Sequence, residues 1–420
     1  MLKLPGIATL FCVFLTTATP AQQPSQDKPI PEIDSVVQSI LSDLNIPGAS
    51  IAIARNGKLL YARGYGKANQ DTPVLPTHLF RIASISKPIT AIAIMQLVEA
   101  NKLKLSDKVT DILTFQPALE GDAKPDQRWK EITIEQLLQH RAGFNRDKSF
   151  DPMFRSTDIA RATKTSAPAN PDAIIRYMMG RQLDFDPGTA YSYSNFGYCL
   201  LGRVIEKKSG LTYENYVRKY LLEPLGIHGM RIGHSLEKDR SFNEVEYHPP
   251  KPQKYPSVFP PHELVRPSYG NWYLEAMDSH GGWIASAVDL ARIASSLDEA
   301  SSVSVLNRQF IQRMFQRPDS SSEAVYYGLG WQVRDVGSGK INTWHTGLLP
   351  GTSTILVRRH DGYSWAVLFN GTTDQGKGKP PQPSSIIDPK MHHAIDSVKN
   401  WPNTDLFPTY LKNSKSKETP

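Results

Sequence analysis

The stretch Arg81–Ala100, RIASISKPITAIAIMQLVEA, places two serines and a lysine at the mouth of a long apolar run. Between Ile89 and Val98 only Thr90 and Gln96 interrupt the apolar residues, a pattern that predicts a helix buried at the centre of a domain. Its first turn therefore lies at the edge of a core. Serine suits a helix N-cap, and Pro88 is tolerated near the start because first-turn amides lack intrahelical partners. Lys87 fits less simply, since a cation belongs at the other end of the helix dipole. Ser84 and Lys87 stand three residues apart and so share one helix face. An ammonium held there is partly desolvated, which lowers its pKa and suits it to act as a base on a neighbouring hydroxyl. The spacing alone decides nothing, because Ser-x-x-Lys also occurs at Ser25, Ser235 and Ser414, in polar segments.

On either side of this helix the pattern changes to strands. The segment 31–48, PEIDSVVQSILSDLNIPG, puts Ile33, Val36, Val37, Ile40, Leu41 and Leu44 on one helix face, stopped at Pro47-Gly48. ASIAIARNGKLLYARGYG then reads as two strands joined by Asn56-Gly57, a pair suited to a two-residue hairpin turn. A second hairpin, STILVRRHDGYSWAVLFNG, turns at Asp361-Gly362. Two hairpins at opposite ends of the chain predict one antiparallel sheet closed by both termini, with an inserted helical region between them. ITIEQLLQH, YCLLGRVIEKKSG, LTYENYVRKYLLEPLG and SAVDLARIASSL carry the helical spacing in that region. Two polar stretches, Asn145–Asp172 and Glu244–Pro267, have the character of lids or substrate-binding loops.

Length, charge and cysteines exclude several classes. The 420 residues bury a substantial core, and 40% hydrophobic with 21% charged residues is ordinary for a globular chain. The opening MLKLPGIATLFCVFLTTATPAQQ, with Lys3, an apolar run to Leu15 and small residues ending at Ala21, predicts a secretory signal peptide cleaved after Ala21, despite Thr19 at the minus-three place. No later run is long and apolar enough to span a bilayer. The formal charge of +7 becomes +6 without Lys3, and lysines cluster only in a polar C-terminal tail; no aromatic or zinc-finger pattern accompanies them to suggest nucleic acid. Cys12 leaves with the signal, so Cys199 has no intramolecular partner and the core must hold the fold. The absence of His-Glu-x-x-His and of paired Cys motifs predicts no structural metal.

Two further segments carry chemistry. FDPGTAYSYSNFGYCLLG runs through Tyr191, Tyr193 and Asn195 into an apolar helix, and NTWHTGLLPGTSTILV sets His345-Thr346-Gly347 just before the last hairpin. Read singly, a tyrosine here is a buried phenol with one hydrogen bond, and the histidine a packed strand residue. In this order, Ser84-Ile85-Ser86-Lys87, Tyr193-Ser194-Asn195 and His345-Thr346-Gly347 resemble the serine β-lactamase and penicillin-binding protein family, on its class C and D-alanyl-D-alanine carboxypeptidase side. ITIEQLLQHRAGF, LLEPLGIHGM, GGWIASAVDLARI and YGLGW are similar to further landmarks of that family, and the resemblance runs from about Ile33 to Asn370.

The resemblance implies a β-lactamase-like α/β fold of the α+β type, an antiparallel sheet flanked by helices with an inserted all-helical subdomain. Residues 33–401 would form one catalytic domain, its α/β part at about 33–75 and 280–401 and its helical part at about 76–279, after a signal at 1–21 and a linker at 22–32 and before a tail at 402–420. It implies a cofactor-free serine hydrolase, secreted or periplasmic, with peptide or small-molecule substrates that include cell-wall peptides. Ser84 would be the nucleophile and Lys87 its base, with Tyr193 carrying a proton to the leaving group. Asn195 would hold Lys87 and the substrate amide, while His345, Thr346 and Gly347 line the substrate strand. The Ser84 and Leu348 N–H groups would form the oxyanion hole. β-Lactamases of this branch resemble Lys-Thr-Gly at the third motif, whereas His-Thr-Gly occurs among its D-peptidases and related hydrolases; a histidine of near-neutral pKa there would offer hydrogen bonds and a pH-dependent charge. That tilts the expectation toward peptides, esters or amides and away from antibiotics. The rival readings are a catalytically silent binder or scaffold of the same fold, and a Ser-His-Asp enzyme with His345 as base.

Overall fold

The computed structural model describes residues 28–319 and 321–412; the expected signal peptide lies outside them. Helix α1 (Pro31–Leu44) ends where Asn45 adopts a left-handed conformation, and strands β1 (Gly48–Arg55) and β2 (Lys58–Gly66) follow. Their turn is the expected one: Asn56 and Gly57 both have positive φ, 50° and 79°, as a two-residue hairpin turn matched to strand twist requires. Near the other end of the chain come β3 (Val325–Tyr327), β4 (Gln332–Asp335), β5 (Ile341–Leu349), β6 (Thr352–Arg358) and β7 (Tyr363–Phe369). The seven strands form one antiparallel sheet in the order β2-β1-β7-β6-β5-β4-β3. The two hairpins meet as foreseen, with Ala49 opposite Phe369 and Arg55 opposite Tyr363. Their turns touch as well: the Asn56 N–H donates to the Gly362 carbonyl at 2.9 Å, and a Cβ on Gly362 would lie 2.0 Å from Asn56 Oδ1.

Both sheet faces are apolar because both are covered. Ile51, Ile53, Val357, Trp365 and Val367 pack under α1 and α5 (Pro383–Ser397), with Ile33, Val37, Ile40, Ile387 and Met391. The alternate residues Ala52, Ala54, Leu356, Ala366 and Leu368 face the other way into the large core, which contains Leu290, Ala291 and Ile293 of α4 (Ala287–Ser295). Each such fully buried Ile, Leu or Val side chain contributes about 1.5–3 kcal/mol relative to an exposed one.

Helix α2 (Ser86–Glu99) is buried almost all round, from Ser86 through Met95. It packs in the same core as α3 (Asn195–Ser209), capped at its start by the Ser194 hydroxyl, which accepts from the Gly197 N–H. No helix among the described residues is long and apolar enough to cross a membrane.

Three details depart from the expected layout. A small sheet joins Phe80–Arg81 and Arg231–Ile232 of the helical part to Trp283–Ala285 between them, and Tyr255–Pro256 pairs with Leu264–Val265. The polar stretch Asn145–Asp172 contains a helix at Ser156–Thr163, whose Ile159 and Ala160 are buried. Of the expected tail, Phe407–Lys412 is helical and buries Phe407 and Tyr410, so two aromatic residues dock a segment that its polar surroundings disguise; residues 413–420 lie outside the described ones.

Candidate active site

Between the strand Phe80–Arg81 and α2 the chain makes a tight turn at Ala83–Ile85. Ala83 has φ +47°, a left-handed conformation costing a non-glycine residue on the order of 1 kcal/mol or more, so the surroundings must impose it. They do. Ile82 N–H donates to the Trp283 carbonyl at 3.0 Å, and the Thr352 and Thr354 hydroxyls donate to the Arg81 and Ile82 carbonyls at 2.9 and 3.1 Å. Strand β5 runs so close that a Cβ on Gly347 would lie 2.1 Å from the Ile82 carbonyl oxygen. Glycine at that place lets the third motif abut the turn bearing Ser84.

Lys87 follows on the first turn of α2 and is fully buried. Its Nζ lies 3.1 Å from Ser84 Oγ, 2.7 Å from Asn195 Oδ1 and 3.0 Å from the His280 carbonyl. Nζ also stands 4.8 Å from the centroid of the Tyr193 ring. Ser84, Lys87, Tyr193 and Asn195, 111 residues apart along the sequence at the extremes, thus meet in one cluster. Asn195 turns its other amide end to Asp151, donating to Oδ2 at 2.6 Å. Asp151 and the His280 carbonyl had no sequence signal as members of this cluster.

His140 is a third residue that sequence reasoning passed over, although it sits in the quoted landmark ITIEQLLQHRAGF. It is buried with φ +57°, and its Nδ1 accepts from the Ser194 N–H at 3.1 Å. Its ring lies 4.3 Å from that of Tyr193. The imidazole therefore props up the Tyr-Ser-Asn segment from beneath.

Burial moves the two candidate bases in opposite directions. Desolvation pulls Lys87 well below the ordinary lysine value; Asp151 opposes this and Arg146 adds to it. Desolvation pushes Tyr193 above the ordinary phenol value, against a hydrogen bond to Ser84 that lowers it. The lysine therefore gives up its proton more readily, and the tyrosine keeps its own.

His345 differs from the expectation. It is buried, its Nδ1 lies 2.7 Å from the Thr346 carbonyl and its Nε2 lies 2.9 Å from the Tyr327 hydroxyl. A carbonyl only accepts, so Nδ1 carries the hydrogen and Nε2 accepts from the phenol, the arrangement of a neutral ring. Burial, with the charge of Lys87, pushes its pKa down to about 3. The anticipated pH-dependent charge is absent near neutrality because desolvation outweighs any gain from the imidazolium.

A cleft of about 720 Å³ opens over this cluster, bounded by Ser84, Tyr193, Asn195, His345, Thr346 and Leu348. Both long polar stretches reach it, the first through Arg146 and Phe154, the second through Pro250. Phe154 and Leu348 are among the large apolar side chains left exposed, at 44% and 36%. Arg146 lies 4.9 Å from the Tyr193 ring centroid.

The beta-lactamase family model matches residues 33–382. Penicillin-binding protein 4* of Bacillus subtilis (strain 168) is 26% identical over 316 residues, 74% of this chain and 65% of that protein. Among solved structures, the octameric penicillin-binding protein homologue from Pyrococcus abyssi is 25% identical with a TM-score of 0.62, covering 91% of this chain and 80% of the other. D-amino acid amidase from Ochrobactrum anthropi SV3 has a TM-score of 0.66 at 20% identity, over 88% of this chain and 100% of that one, a likeness of fold. With a family match across most of its length and a sheet and helical insert to suit it, the chain belongs to the beta-lactamase family of serine hydrolases.

Proposed function

We propose that the protein is an exported serine hydrolase that cleaves amide or ester bonds through an acyl-enzyme at Ser84. The observation that carries this is the contact of a buried, pKa-depressed Lys87 with Ser84 Oγ at 3.1 Å. In the first step Ser84 Oγ bonds to the substrate carbonyl carbon and its proton passes to Lys87 Nζ. The Ser84 and Leu348 N–H groups take the developing oxyanion. As the tetrahedral intermediate collapses, the leaving nitrogen or oxygen receives a proton through the Tyr193 hydroxyl. Water then attacks the ester and frees Ser84.

D-amino-acid-containing peptides, β-lactam-like compounds and small esters are the substrate class, with peptides, esters and amides favoured over antibiotics. The neutral His345 supports that order, since it offers no cation on β5 for a β-lactam carboxylate. Exposed Phe154 and Leu348 suit an apolar substituent beside the reacting carbonyl.

The test is intact-mass spectrometry after incubation with a reactive penicillin and, separately, a 4-nitrophenyl ester, with Ser84→Ala as control. A serine-dependent adduct mapped to the Ser84 peptide is the expected result, and its rate of loss ranks turnover against trapping. Absence of both adduct and turnover would instead favour a silent binding protein of this fold.

A further inference from the structure

We propose that Asp151 is a positioning residue: by accepting from the Asn195 amide it fixes which end of that amide faces Lys87, and so aims the lysine lone pair at Ser84 Oγ. The proposal rests on the reading of Ser84 as nucleophile and Lys87 as its base.

An asparagine amide can be turned end for end, and only its partners decide which way it points. Burial pushes the Asp151 carboxyl up, against its hydrogen bonds to Asn195 and Met153 and the charges of Lys87 and Arg146, and in its ionised form it accepts and never donates. With Asp151 Oδ2 2.6 Å from Nδ2, the amide must present Oδ1 to Lys87, at 2.7 Å. The His280 carbonyl, 3.0 Å from Nζ, is likewise an acceptor only. A neutral amine has two hydrogens and one lone pair. Both hydrogens are taken by these two acceptors, and the lone pair is left for the third neighbour, the Ser84 hydroxyl at 3.1 Å. With the amide reversed, its N–H would compete for that lone pair and leave the serine proton without a base.

Asp151 has a bland role as well, which its geometry separates from this one. Oδ1 caps the short turn Pro152–Phe154 by accepting from the Met153 N–H at 3.1 Å, while Oδ2 is the atom on Asn195. The other titratable or charged groups around the pair are Arg146, Tyr193, Tyr198, His140, His280 and His345, with Tyr193 and Tyr198 rings 4.8 and 5.7 Å from Nζ. Asp151 is the acid among them, so its removal changes the field at Lys87 in a known direction.

The experiment measures the rate of Ser84 acylation by a 4-nitrophenyl ester across pH, by the 4-nitrophenolate burst and intact mass. It uses the wild type, Asp151→Asn and the exchange variant Asp151→Asn/Asn195→Asp. Asp151→Asn is expected to slow acylation at the pH plateau by roughly 10- to 100-fold with little change in KM, the scale of a misaimed catalytic group. Its acidic limb should move to lower pH, because the carboxylate that favours the lysine ammonium is gone. A loss of rate together with an easier deprotonation is not what simple loosening of the fold gives. The exchange variant keeps a hydrogen bond between positions 151 and 195 but sets the carboxylate on Lys87; it should stay slow, with the limb moved to higher pH. A wild-type rate and limb in Asp151→Asn would overturn the proposal, as would full recovery in the exchange variant, which would show that the hydrogen bond alone matters. If Asp151→Asn does not fold, the exchange variant gives the decision by the same readout. A wild type that takes no label at Ser84 removes the underlying reading itself, an outcome distinct from a labelled wild type matched by Asp151→Asn.

Discussion

Lys87 Nζ lies 3.1 Å from Ser84 Oγ, on the same turn of the chain and walled off from water, while the hydrogen-bonding atoms of His345 are both engaged elsewhere. This ranks the two candidate bases. Lys87→Met should slow acylation by about 10²–10⁴-fold, the range for a general base. His345→Gln should retain most of the acylation rate. Burst kinetics with an activated ester decide between them, and the reverse ranking would restore the Ser-His-Asp reading.

Stability should fall in mild acid. Desolvation holds His140, His280 and His345 below the ordinary histidine value, His345 at about 3. In the unfolded chain each regains a pKa of about 6.5, so below that pH the unfolded state binds protons that the folded state refuses. Their contribution is therefore complete above about 6.5 and is lost as pH falls below it, for His345 toward about 3. Urea midpoints should drop between neutral and mildly acidic buffer, and His345→Gln should flatten the slope. An unchanged slope in that variant would mean that His345 titrates normally.

Much of this site was legible because the signals are local. Asn56-Gly57 between alternating apolar residues specifies its turn wherever the strands go, and Ser84 with Lys87 need only one helical turn to meet. Asp151 was not legible, because its partner Asn195 is 44 residues away and its own neighbourhood reads as a polar loop. The His280 contact is made by a backbone carbonyl, which carries no side-chain signature. The charge of His345 could not be read either, since burial on a strand edge depends on what Tyr327 and Lys87 bring to it.

Gly347 should tolerate no side chain. In Gly347→Ala the new methyl would meet the Ile82 carbonyl at 2.1 Å and Thr354 Oγ1 at 2.4 Å, and the first is backbone of the Ser84 turn. Forced apart, β5 and that turn would lose about 1–3 kcal/mol of packing. They would also misalign the Ser84 and Leu348 N–H groups proposed as oxyanion donors, so kcat should fall further than the thermal shift alone explains. Wild-type kcat in this variant would place the oxyanion hole elsewhere.

Glu244 anchors the second long polar stretch. Its carboxylate lies 3.5 Å from Arg81 Nε, both side chains are buried, and the Arg81 guanidinium stands 4.7 and 5.2 Å from the rings of Tyr247 and Tyr269. Glu244→Ala would leave that guanidinium buried without its counter-charge, a loss of about 3–5 kcal/mol for pairs of this kind. Denaturant titration checks it; a change below about 1 kcal/mol, the exposed-pair scale, would mean that water reaches Arg81.

Converting the third motif to the β-lactamase-like Lys-Thr-Gly should not create an efficient antibiotic-hydrolysing enzyme. The pocket of position 345 is closed by the Tyr327 hydroxyl and the Thr346 carbonyl, and Lys87 already lowers the pKa of whatever base sits there. His345→Lys would bring a second amine into that field, where desolvation and like charge both favour its neutral form. The new side chain would then supply little charge for a β-lactam carboxylate, and to the extent that it is protonated its charge would compete with a proton on Lys87. We expect a lower thermal midpoint, an acylation limb moved to lower pH, and no large gain in penicillin turnover. A large gain with unchanged stability would mean that the lysine reaches the cleft as an ammonium, and that the neutral histidine alone limits this chain on β-lactams.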